Sequence, residues 1–527
     1  MKLSSLVFGF LVWASVVALS SLWIGFWNLF PIPILLLSAF AAFFAVKKWG
    51  KEIENMPLPK SVLVLCLLML GLAAYPLLLV HPFFPASSDV LHITNIRILN
   101  DKIPGTYAPY SDLKFTYQIG FALFSNAVSK LFFFVSDYQI VWFLGLVFSV
   151  ILVALVYWMA FALSKNHNAS LISAALLIGT KVIFQNFYYG VFPLLASFAL
   201  FIGAWYFFEK KSPLAFLLLP ATIVFHPATG PLLALFLAFK TIQKRDFKFG
   251  LGLLLSACLS IPAILLTYLP VFTNAPGQLA SFSLSGLWAA LIAVPLWFGL
   301  VPLVLFLLSA VFSSGKKSSD AFIFSVVWLL FYLFFSAIGL PHSDKFFFLF
   351  SLFAVIFAGT FFATFVWEKF EKRHSGWKPF QTVLLLIVLL CLASFFASSD
   401  LAHARSGSKA TVQDEAFALA FKKFDPALKK TLFLADGGGW IAAVSNKIPF
   451  DPLVDHFLPD SVLQVVSGSD ESLNREKIQK QIEAGCISCI NQTEVEYVVF
   501  NTGQFNFDLG RPPVFEFGAF KVYKQKR

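Results

Sequence analysis

Long apolar runs separated by short polar loops occupy most of residues 1–397 in this chain of 527 residues. A helix needs roughly 17–25 predominantly apolar residues to cross a bilayer. Thirteen segments are predicted to cross or to take part in crossings: 6–27, 29–46, 61–80, 139–163, 169–185, 190–208, 214–226, 228–239, 251–270, 287–311, 321–340, 346–367 and 380–397. The seventh and eighth are too short for ordinary crossings, which predicts one span broken at His226-Pro227.

One long polar segment, from His81 to Phe121, interrupts the apolar pattern. Within it, residues 89–101 place apolar side chains at helical spacing among polar ones. This pattern predicts an amphipathic helix lying flat on the membrane surface. A second apolar helix is expected from Thr116 to Val135, either interfacial or dipping into the membrane, and it is not counted as a span.

The last 130 residues change character. Strands are predicted near 431–435, 496–500 and 519–523, with helices at 411–424 and 471–484. The glycines of Asp436-Gly437-Gly438-Gly439 lack both the GxGxxG spacing and the βαβ setting of a nucleotide-binding loop, so no such loop is expected. The predicted fold class is an α-helical polytopic membrane protein (residues 1–397, with an outer loop at 81–121) followed by an α/β domain (398–527).

Composition supports a membrane location, because 58% of the residues are hydrophobic and only 13% are charged, against about 25% charged in soluble domains. The net charge of +11 comes from basic residues in alternate loops. They are Lys2, Lys47, Lys48, Lys51, Lys60, Lys165, Lys210, Lys211, Lys240, Lys244, Arg245, Lys248, Lys316, Lys317, Lys369, Lys372, Arg373 and Lys378.

The positive-inside rule places these basic loops in the cytoplasm. A multi-pass protein of the cell membrane is therefore expected, with a cytoplasmic N-terminus and an extracytoplasmic C-terminal domain. The excess charge is explained by topology and anionic lipid, so nucleic acid is not needed as a partner. The first apolar run exceeds the 7–15 residues of a signal peptide's apolar region, which favours an uncleaved anchor.

Two of the five cysteines, Cys486 and Cys489, form a CxxC motif in the outer domain. No second pair or histidine cluster accompanies them, so a zinc site is disfavoured. A local disulfide is the preferred interpretation.

Asp89 is the leading candidate for a catalytic base, because it follows a membrane exit where the head group of a lipid-linked substrate would lie. The alternative is that Asp89 only caps the interfacial helix. His92 shares a helix face with Asp89. It could orient the carboxylate, bind substrate, join Asp89 on a divalent metal (Mg²⁺ or Mn²⁺), or have no role in chemistry. Asp112 is a candidate second acid, and Arg97 and Lys102 are interpreted as solvent-facing charges.

Further candidates lie at other membrane boundaries. Lys181, His342 and Lys345 could together hold a lipid phosphate, although a lysine near a helix end can also extend to the interface without a function. His226, at the broken span, is either a substrate contact or a turn residue satisfied by a carbonyl.

The order of these features resembles that of the GT-C glycosyltransferases, membrane enzymes that use polyprenyl-phosphate sugars. The resemblance rests on five segments: Ser88-Asp89-Val90-Leu91-His92, Ile103-Pro104-Gly105-Thr106-Tyr107, Tyr117-Gln118-Ile119-Gly120-Phe121, His226-Pro227 and Pro341-His342-Ser343-Asp344-Lys345. An outer α/β domain follows them. The resemblance implies an inverting sugar transfer with Asp89 as the base and a basic residue, best matched by Lys345, near the donor phosphate.

The sequence departs from the family in two respects. The acidic loop follows the third span, whereas it usually follows the first, and the WWDYG motif of oligosaccharyltransferases is absent, which disfavours protein N-glycosylation. The acceptor, whether lipid, glycan or protein, stays open. The alternatives are a transporter or flippase of lipid-linked glycans and a non-catalytic scaffold of the same fold.

Overall fold

The computed structural model of this chain describes most of both predicted parts. The described residues are 3–24, 32–49, 59–79, 92–93, 95–97, 99, 119–188, 190–227, 229–269, 282–312, 320–339, 343–363, 411–435, 438–450, 470–505 and 509–525.

The N-terminal part is predominantly helical in these ranges. Its helices are α1 (Leu3–Ile24), α2 (Ile32–Trp49), α3 (Lys60–Leu79), α4 (Ile119–Leu131), α5 (Asp137–Ser164), α6 (His167–Ile178), α7 (Lys181–Tyr188), α8 (Phe192–Glu209), α9 (Ala215–Phe225), α10 (Thr229–Lys244), α11 (Phe247–Ala257), α12 (Leu284–Phe298), α13 (Leu300–Phe312), α14 (Asp320–Ala337) and α15 (Asp344–Phe361). Helix α11 continues through a 3-10 turn (Cys258–Ser260) into a π-helical turn (Ile264–Tyr268).

Eight helical segments in the described ranges are long and apolar enough to cross a membrane, and the bent pair α12–α13 raises this to as many as nine. The polytopic helical class therefore agrees with the sequence prediction, whereas thirteen crossings are not confirmed. The predicted segment 380–397 lies outside the described residues. Helix α9 has only 11 residues, which is too short to cross a bilayer alone.

The segment 287–311, predicted as one span, is two helices that meet at an angle of 103°. The bend falls at Gly299, whose φ of 89° is open to glycine but strained for other residues. Pro295 lies one turn earlier and removes a donor from the helical ladder. These two residues explain why an unbroken apolar run does not give a straight helix.

The core of the bundle forms around α5 and α8, which pack on each other and on α6 and α9. Helix α4 lies inside this core, because all ten residues from Ile119 to Val128 are buried. A side chain at Gly120 would come within 2.8 Å of the Val224 backbone, so this glycine permits the close contact of α4 with α9. Of the two expected placements, interfacial or dipping into the membrane, the interfacial one is wrong for these residues, since an interfacial helix keeps one face exposed.

A network of charges joins three helices at the far end of α8. Lys240, on α10, has a side chain only 4% exposed and pairs with both Glu209 (3.5 Å) and Asp320. Lys244 lies 2.6 Å from Glu209, and Gln243 donates to Asp320. Two basic side chains thus meet two acidic ones, and the network is balanced in charge.

The C-terminal domain contains α16 (Val412–Phe424), α17 (Gly438–Ser445) and α18 (Asp470–Glu483) with five strands. These are β1 (Lys430–Leu434), β2 (Ile448–Pro449), β3 (Tyr497–Asn501), β4 (Phe515–Phe517) and β5 (Phe520–Lys524). The sheet order is β2-β1-β3-β5-β4. Strand β1 pairs in parallel with β2 and β3, whereas β5 is antiparallel to β3 and β4. The three predicted strands and both predicted helices are confirmed.

Candidate functional site

The segment around His92 is anchored in the interior of the bundle. Its ring lies 2.8 Å, through Nε2, from the carbonyl oxygen of Gly190 and packs against the rings of Phe121 and Phe192. Burial lowers the pKa of His92 to about 4, and the Gly190 hydrogen bond opposes this shift. His92 is therefore neutral near pH 7 and serves as an anchor for the polar segment.

The same burial extends along this segment. Ile93, Asn95, Ile96 and Leu99 are each no more than 3% exposed, and the Leu99 N–H donates to the Asn95 carbonyl as in a helical turn. The predicted helix lying flat on a membrane surface is wrong for these residues, because both their apolar and their polar side chains are enclosed by protein.

Contacts of the backbone and of the Arg97 side chain hold the chain in place around Arg97. The Nδ2 of Asn126, on α4, donates to the Ile96 carbonyl at 2.6 Å. The Arg97 guanidinium donates to the carbonyl of Ala443, in the last turn of α17, where backbone carbonyls lack helical partners and attract a cation. Arg97 also lies 3.4 Å from Asp137, with a side chain 16% exposed. The interpretation of Arg97 as a solvent-facing charge is therefore wrong.

Arg97 borders a cleft of about 340 Å³ between the bundle and the C-terminal domain. Two further basic residues line this cleft, Lys130 at the end of α4 and Lys422 on α16. The acidic lining residue is Asp137, whose Oδ1 accepts from Ser129 at 2.7 Å. Among the described residues that line the cleft, three are basic and one is acidic, a composition that favours an anionic ligand.

The pKa of Lys422 is lowered by its surroundings in the cleft. Its side chain is exposed by area, yet the surrounding groups desolvate the ammonium enough to lower the pKa, and the nearby Arg97 lowers it further. Asp137 opposes the shift. Lys422 and Arg97 therefore repel each other across the cleft.

An exposed aromatic turn adjoins the cleft. Phe132, Phe133 and Phe134 form the turn between α4 and α5 and are 46%, 79% and 75% exposed. Phe133 lines the cleft, and α5, a candidate membrane span, begins three residues after this turn. The cleft therefore combines cations with aromatic surface at the end of a spanning helix.

His226 is the buried C-terminal cap of α9. Its Nδ1 accepts a hydrogen bond from the Thr229 N–H at 3.4 Å. Pro227 has no N–H to give to Ile223, and the hydroxyl of Tyr268 donates instead to the Ile223 and Val224 carbonyls. The break in this span is closed by the protein's own groups, which favours the turn-residue interpretation of His226.

The two described lysine candidates lie elsewhere. Lys345, in the first turn of α15, lies 2.8 Å from the Asp344 carboxylate and over the ring of Phe348. Lys181 is the first residue of α7 and is half-buried. The charge of Lys345 is thus offset by its neighbour in the sequence.

Asp89, Asp112 and His342 lie outside the described residues. Within the part of the chain that the structure describes, no cluster of three or more His, Cys, Asp or Glu side chains is arranged to hold a metal. The Nε2 of His92 is engaged by the Gly190 carbonyl.

The C-terminal domain gives two further results. Cys486 and Cys489 are joined by a disulfide. Strand β1, helix α17 and strand β2 form a βαβ unit with parallel strands, so the expectation that Asp436-Gly437-Gly438-Gly439 lacks a βαβ setting is wrong. The GxGxxG spacing is absent nonetheless.

Sequence reasoning missed Lys130, Asp137 and Lys422 and undervalued Arg97. One signal was present for two of them. Arg97 and Lys130 are among only six basic residues in the loops predicted to lie outside the cell before residue 398, with Lys102, Lys114, Lys181 and Lys345. Basic residues are rare in extracytoplasmic loops, so a basic residue predicted there serves something other than membrane orientation.

No protein-family model matches this chain, and no curated protein matches it.

Proposed function

We propose that this chain is a membrane glycosyltransferase of the GT-C type, which moves a sugar from a polyprenyl-phosphate carrier to an acceptor on the extracytoplasmic side. The observation that carries the proposal is the cleft in which Arg97, Lys130 and Lys422 face Asp137. Arg97 belongs to the same polar segment as Asp89, the proposed base.

The charge of the cleft fits the reaction. When the acceptor oxygen bonds to the anomeric carbon, the bond from that carbon to the phosphate oxygen breaks and its electron pair stays on the phosphate. The acceptor's proton passes to the Asp89 carboxylate. The carrier phosphate then changes from a singly charged diester to a more highly charged monoester. Cations fixed at that position stabilise the developing charge more than the substrate's charge.

The carrier is also amphiphilic, and the cleft offers both kinds of surface. The basic side chains face the phosphate, and the exposed rings of Phe132, Phe133 and Phe134 provide contact for an isoprenoid chain at the membrane boundary. This combination favours a lipid-borne donor over a water-soluble nucleotide sugar.

His92 takes part as a positioning residue. Its neutral ring and its bond to Gly190 hold the segment that follows Asp89 by three residues in the sequence. In this proposal it carries neither charge nor proton in the reaction.

The transporter alternative relies on interrupted helices that present backbone groups to a substrate. At the His226-Pro227 break, Tyr268 and Thr229 already bond to the groups that the break exposes. This observation favours the enzyme.

The test is transfer of a radiolabelled sugar from polyprenyl-phosphate donors by the purified full-length protein. Asp89→Asn removes the proposed base while keeping the shape of the side chain, so turnover is expected to fall by about 10²–10⁴-fold. Asp101→Asn, a second carboxylate of the same polar segment, is the matched control and is expected to stay near wild type. Equal turnover by wild type and Asp89→Asn would refute the assignment and leave the scaffold or transporter alternative.

A further inference from the structure

Three buried, uncharged side chains in two neighbouring segments have polar atoms that no group of the described chain satisfies. Asn95 is 0% exposed, and neither its Nδ2 nor its Oδ1 has a hydrogen-bond partner among the described residues. The same holds for the hydroxyl of Ser125 and for the Oδ1 of Asn126, two buried residues of α4. Buried polar atoms without a partner are rare, because each has given up its hydrogen bonds to water. A group from outside the chain is therefore expected beside these atoms.

Asn126 connects these groups to the cleft. Its Nδ2 donates to the Ile96 carbonyl at 2.6 Å, so α4 is joined to the segment that holds Asn95. Asn126 and Ile96 both line the cleft of about 340 Å³. Asn126 thus uses its donor to hold the wall of the cleft together, and its acceptor oxygen is left for a ligand.

Helical spacing places Asn95 and Ser125 on the faces where the two segments meet. Residues 92–93 and 95–97 are helical, so Asn95 shares a face with His92, three residues before it. On α4, Ser125 shares a face with Phe121, four residues before it. The rings of His92 and Phe121 pack on each other with centroids 5.3 Å apart. The unsatisfied groups of Asn95 and Ser125 therefore belong to the same interface as Asn126.

The chemistry of these groups selects the class of ligand. Asn95 offers a donor and an acceptor, Ser125 a hydroxyl and Asn126 an acceptor, and all of them are uncharged. An apolar ligand would leave them unsatisfied, and a charged group would find no counter-charge among them. A hydroxyl group both donates and accepts, so a ligand with several hydroxyl groups fits this set. The volume of the cleft lies within the roughly 300–1,000 Å³ typical of small-molecule sites, which is more than a single water needs.

We propose that Asn126, together with Asn95 and Ser125, forms a subsite that binds the hydroxyl groups of a sugar. The inference rests on the proposed function for the source of this sugar, a polyprenyl-phosphate donor, but it needs no sugar transfer. It assigns recognition of the sugar to uncharged residues of the cleft and leaves the phosphate to the charged ones.

Such a subsite would discriminate strongly. Its unsatisfied groups lower the stability of the free protein and gain partners when the sugar binds, a compromise that is common in binding sites. A site that is built to hydrogen-bond a hydroxyl group rejects an analogue that lacks it, because the polar groups of the site then stay unpaired. The subsite therefore predicts that the sugar adds affinity beyond that of the lipid phosphate.

The experiment compares lipids of equal charge that differ in their hydroxyl groups. Undecaprenyl methyl phosphate is a phosphodiester with a methyl group in place of the sugar. Undecaprenyl phosphodiesters of glucose, mannose, galactose and arabinose are the test ligands, and native mass spectrometry of the full-length protein in detergent measures each affinity. At least one sugar lipid is expected to bind about ten-fold more tightly than the methyl ester, as one or two added hydrogen bonds would give. Equal affinity for all five lipids would overturn the inference and assign the unsatisfied groups to buried water.

Asn126→Ala is expected to bring the ratio of the sugar lipid to the methyl ester to within about two-fold of unity. This variant also loses the bond to Ile96, but a cleft that was only loosened would weaken both lipids together and keep the ratio. Ser129→Ala is the matched control. Ser129 lines the cleft, and its hydroxyl already donates to Asp137, so the wild-type ratio is expected. A wild-type ratio in Asn126→Ala would overturn the inference.

Asn95→Leu adds a measurement that needs no ligand. The Asn95 side chain has no hydrogen bond to lose among the described residues, and leucine has the same branched shape. The apparent Tm in detergent is therefore expected to be no lower than that of wild type, whereas the sugar ratio is expected to fall several-fold. A large fall in Tm would show that the free protein already satisfies this carboxamide. That result, or a wild-type ratio, would overturn the assignment of Asn95 to the subsite.

The outcome is distinct from that of the transfer assay. An affinity for the sugar that depends on Asn126, without any sugar transfer, would keep the subsite and refute the enzyme. Sugar transfer by Asn126→Ala with the wild-type kcat/KM would keep the enzyme and refute the subsite.

Discussion

Two charged regions of the molecule differ in the balance of their basic and acidic groups. At the C-terminal end of α8, Lys240 and Lys244 meet Glu209 and Asp320, and Trp205 also donates to Glu209. At the start of α5, the described residues that line the cleft include three basic side chains and one acidic side chain, Asp137.

The two regions are therefore expected to differ in role. A cluster whose described charges balance can join helices, because each buried charge has its partner. A cluster in which the described basic side chains outnumber the acidic ones beside a cleft favours an anionic ligand. Buried charge alone therefore does not indicate a site, whereas an excess of one sign next to open space makes a candidate site.

The largest effect on stability is expected from Lys240→Met. Removing this lysine leaves Glu209 and Asp320 without their shared partner, which costs about 3–5 kcal/mol when the pair is buried. The apparent Tm in detergent, followed by tryptophan fluorescence, is expected to drop by several degrees.

Lys244→Met is the matched variant on the same helix. Its side chain is 33% exposed, so its loss is expected to cost below about 1 kcal/mol. Similar melting curves for Lys240→Met and wild type would show that the network does not join the helices.

Arg97→Met should affect activity. Loss of one fixed donor to the developing phosphate charge is expected to lower kcat/KM for the polyprenyl-phosphate donor by about 100-fold. Lys345→Ala is the comparison variant, because Asp344 already offsets the charge of Lys345. Its kcat/KM is expected to fall by less than about three-fold. If Lys345→Ala lowered kcat/KM more than Arg97→Met, the donor phosphate would be assigned to Lys345 instead of Arg97.

A smaller effect is expected from pH, and only in the region of the cleft, because a histidine anchors that region and the network of Lys240 includes none. The pKa of His92 is about 4 in the folded protein against an ordinary 6.5. The unfolded or opened segment therefore binds a proton first, and stability of the anchor is lost as pH falls below 6.5. The loss at pH 5.5 is about 1.4 kcal/mol.

This loss is measurable as faster exchange of peptides around Gly190, after correction for the intrinsic pH dependence of exchange. His92→Phe removes the titrating group and is expected to flatten the profile between pH 6.5 and 5.5. An unchanged wild-type profile over this interval would contradict the assignment of His92 as a neutral anchor.

Much of the fold was accessible from the sequence, because apolar length and strand patterns are local signals. The runs that became α5 and α8 and the strands β1, β3 and β5 were located within a few residues. The break at Gly299 was missed, since one glycine does not interrupt an apolar run. The burial of α4 was also missed, since its place inside the bundle depends on contacts with α9 that are distant in sequence.

The site was less accessible for the same reason. Lys422 is separated from Arg97 by more than 300 residues, and no spacing rule joins them. The sequence draws attention to His92, but its partner Gly190 contributes a backbone carbonyl, which no residue type reveals. The roles of Asp89, Asp112 and His342 stay predictions of the sequence.

The most direct test of the proposed anion site in the cleft is the affinity of the full-length protein for undecaprenyl phosphate, measured by native mass spectrometry in detergent against undecaprenol. The account predicts that the phosphate form binds more tightly, and that Arg97→Met loses about 100-fold in affinity while Lys345→Ala stays close to wild type. Equal binding of the two lipids, or undiminished binding by Arg97→Met, would contradict it.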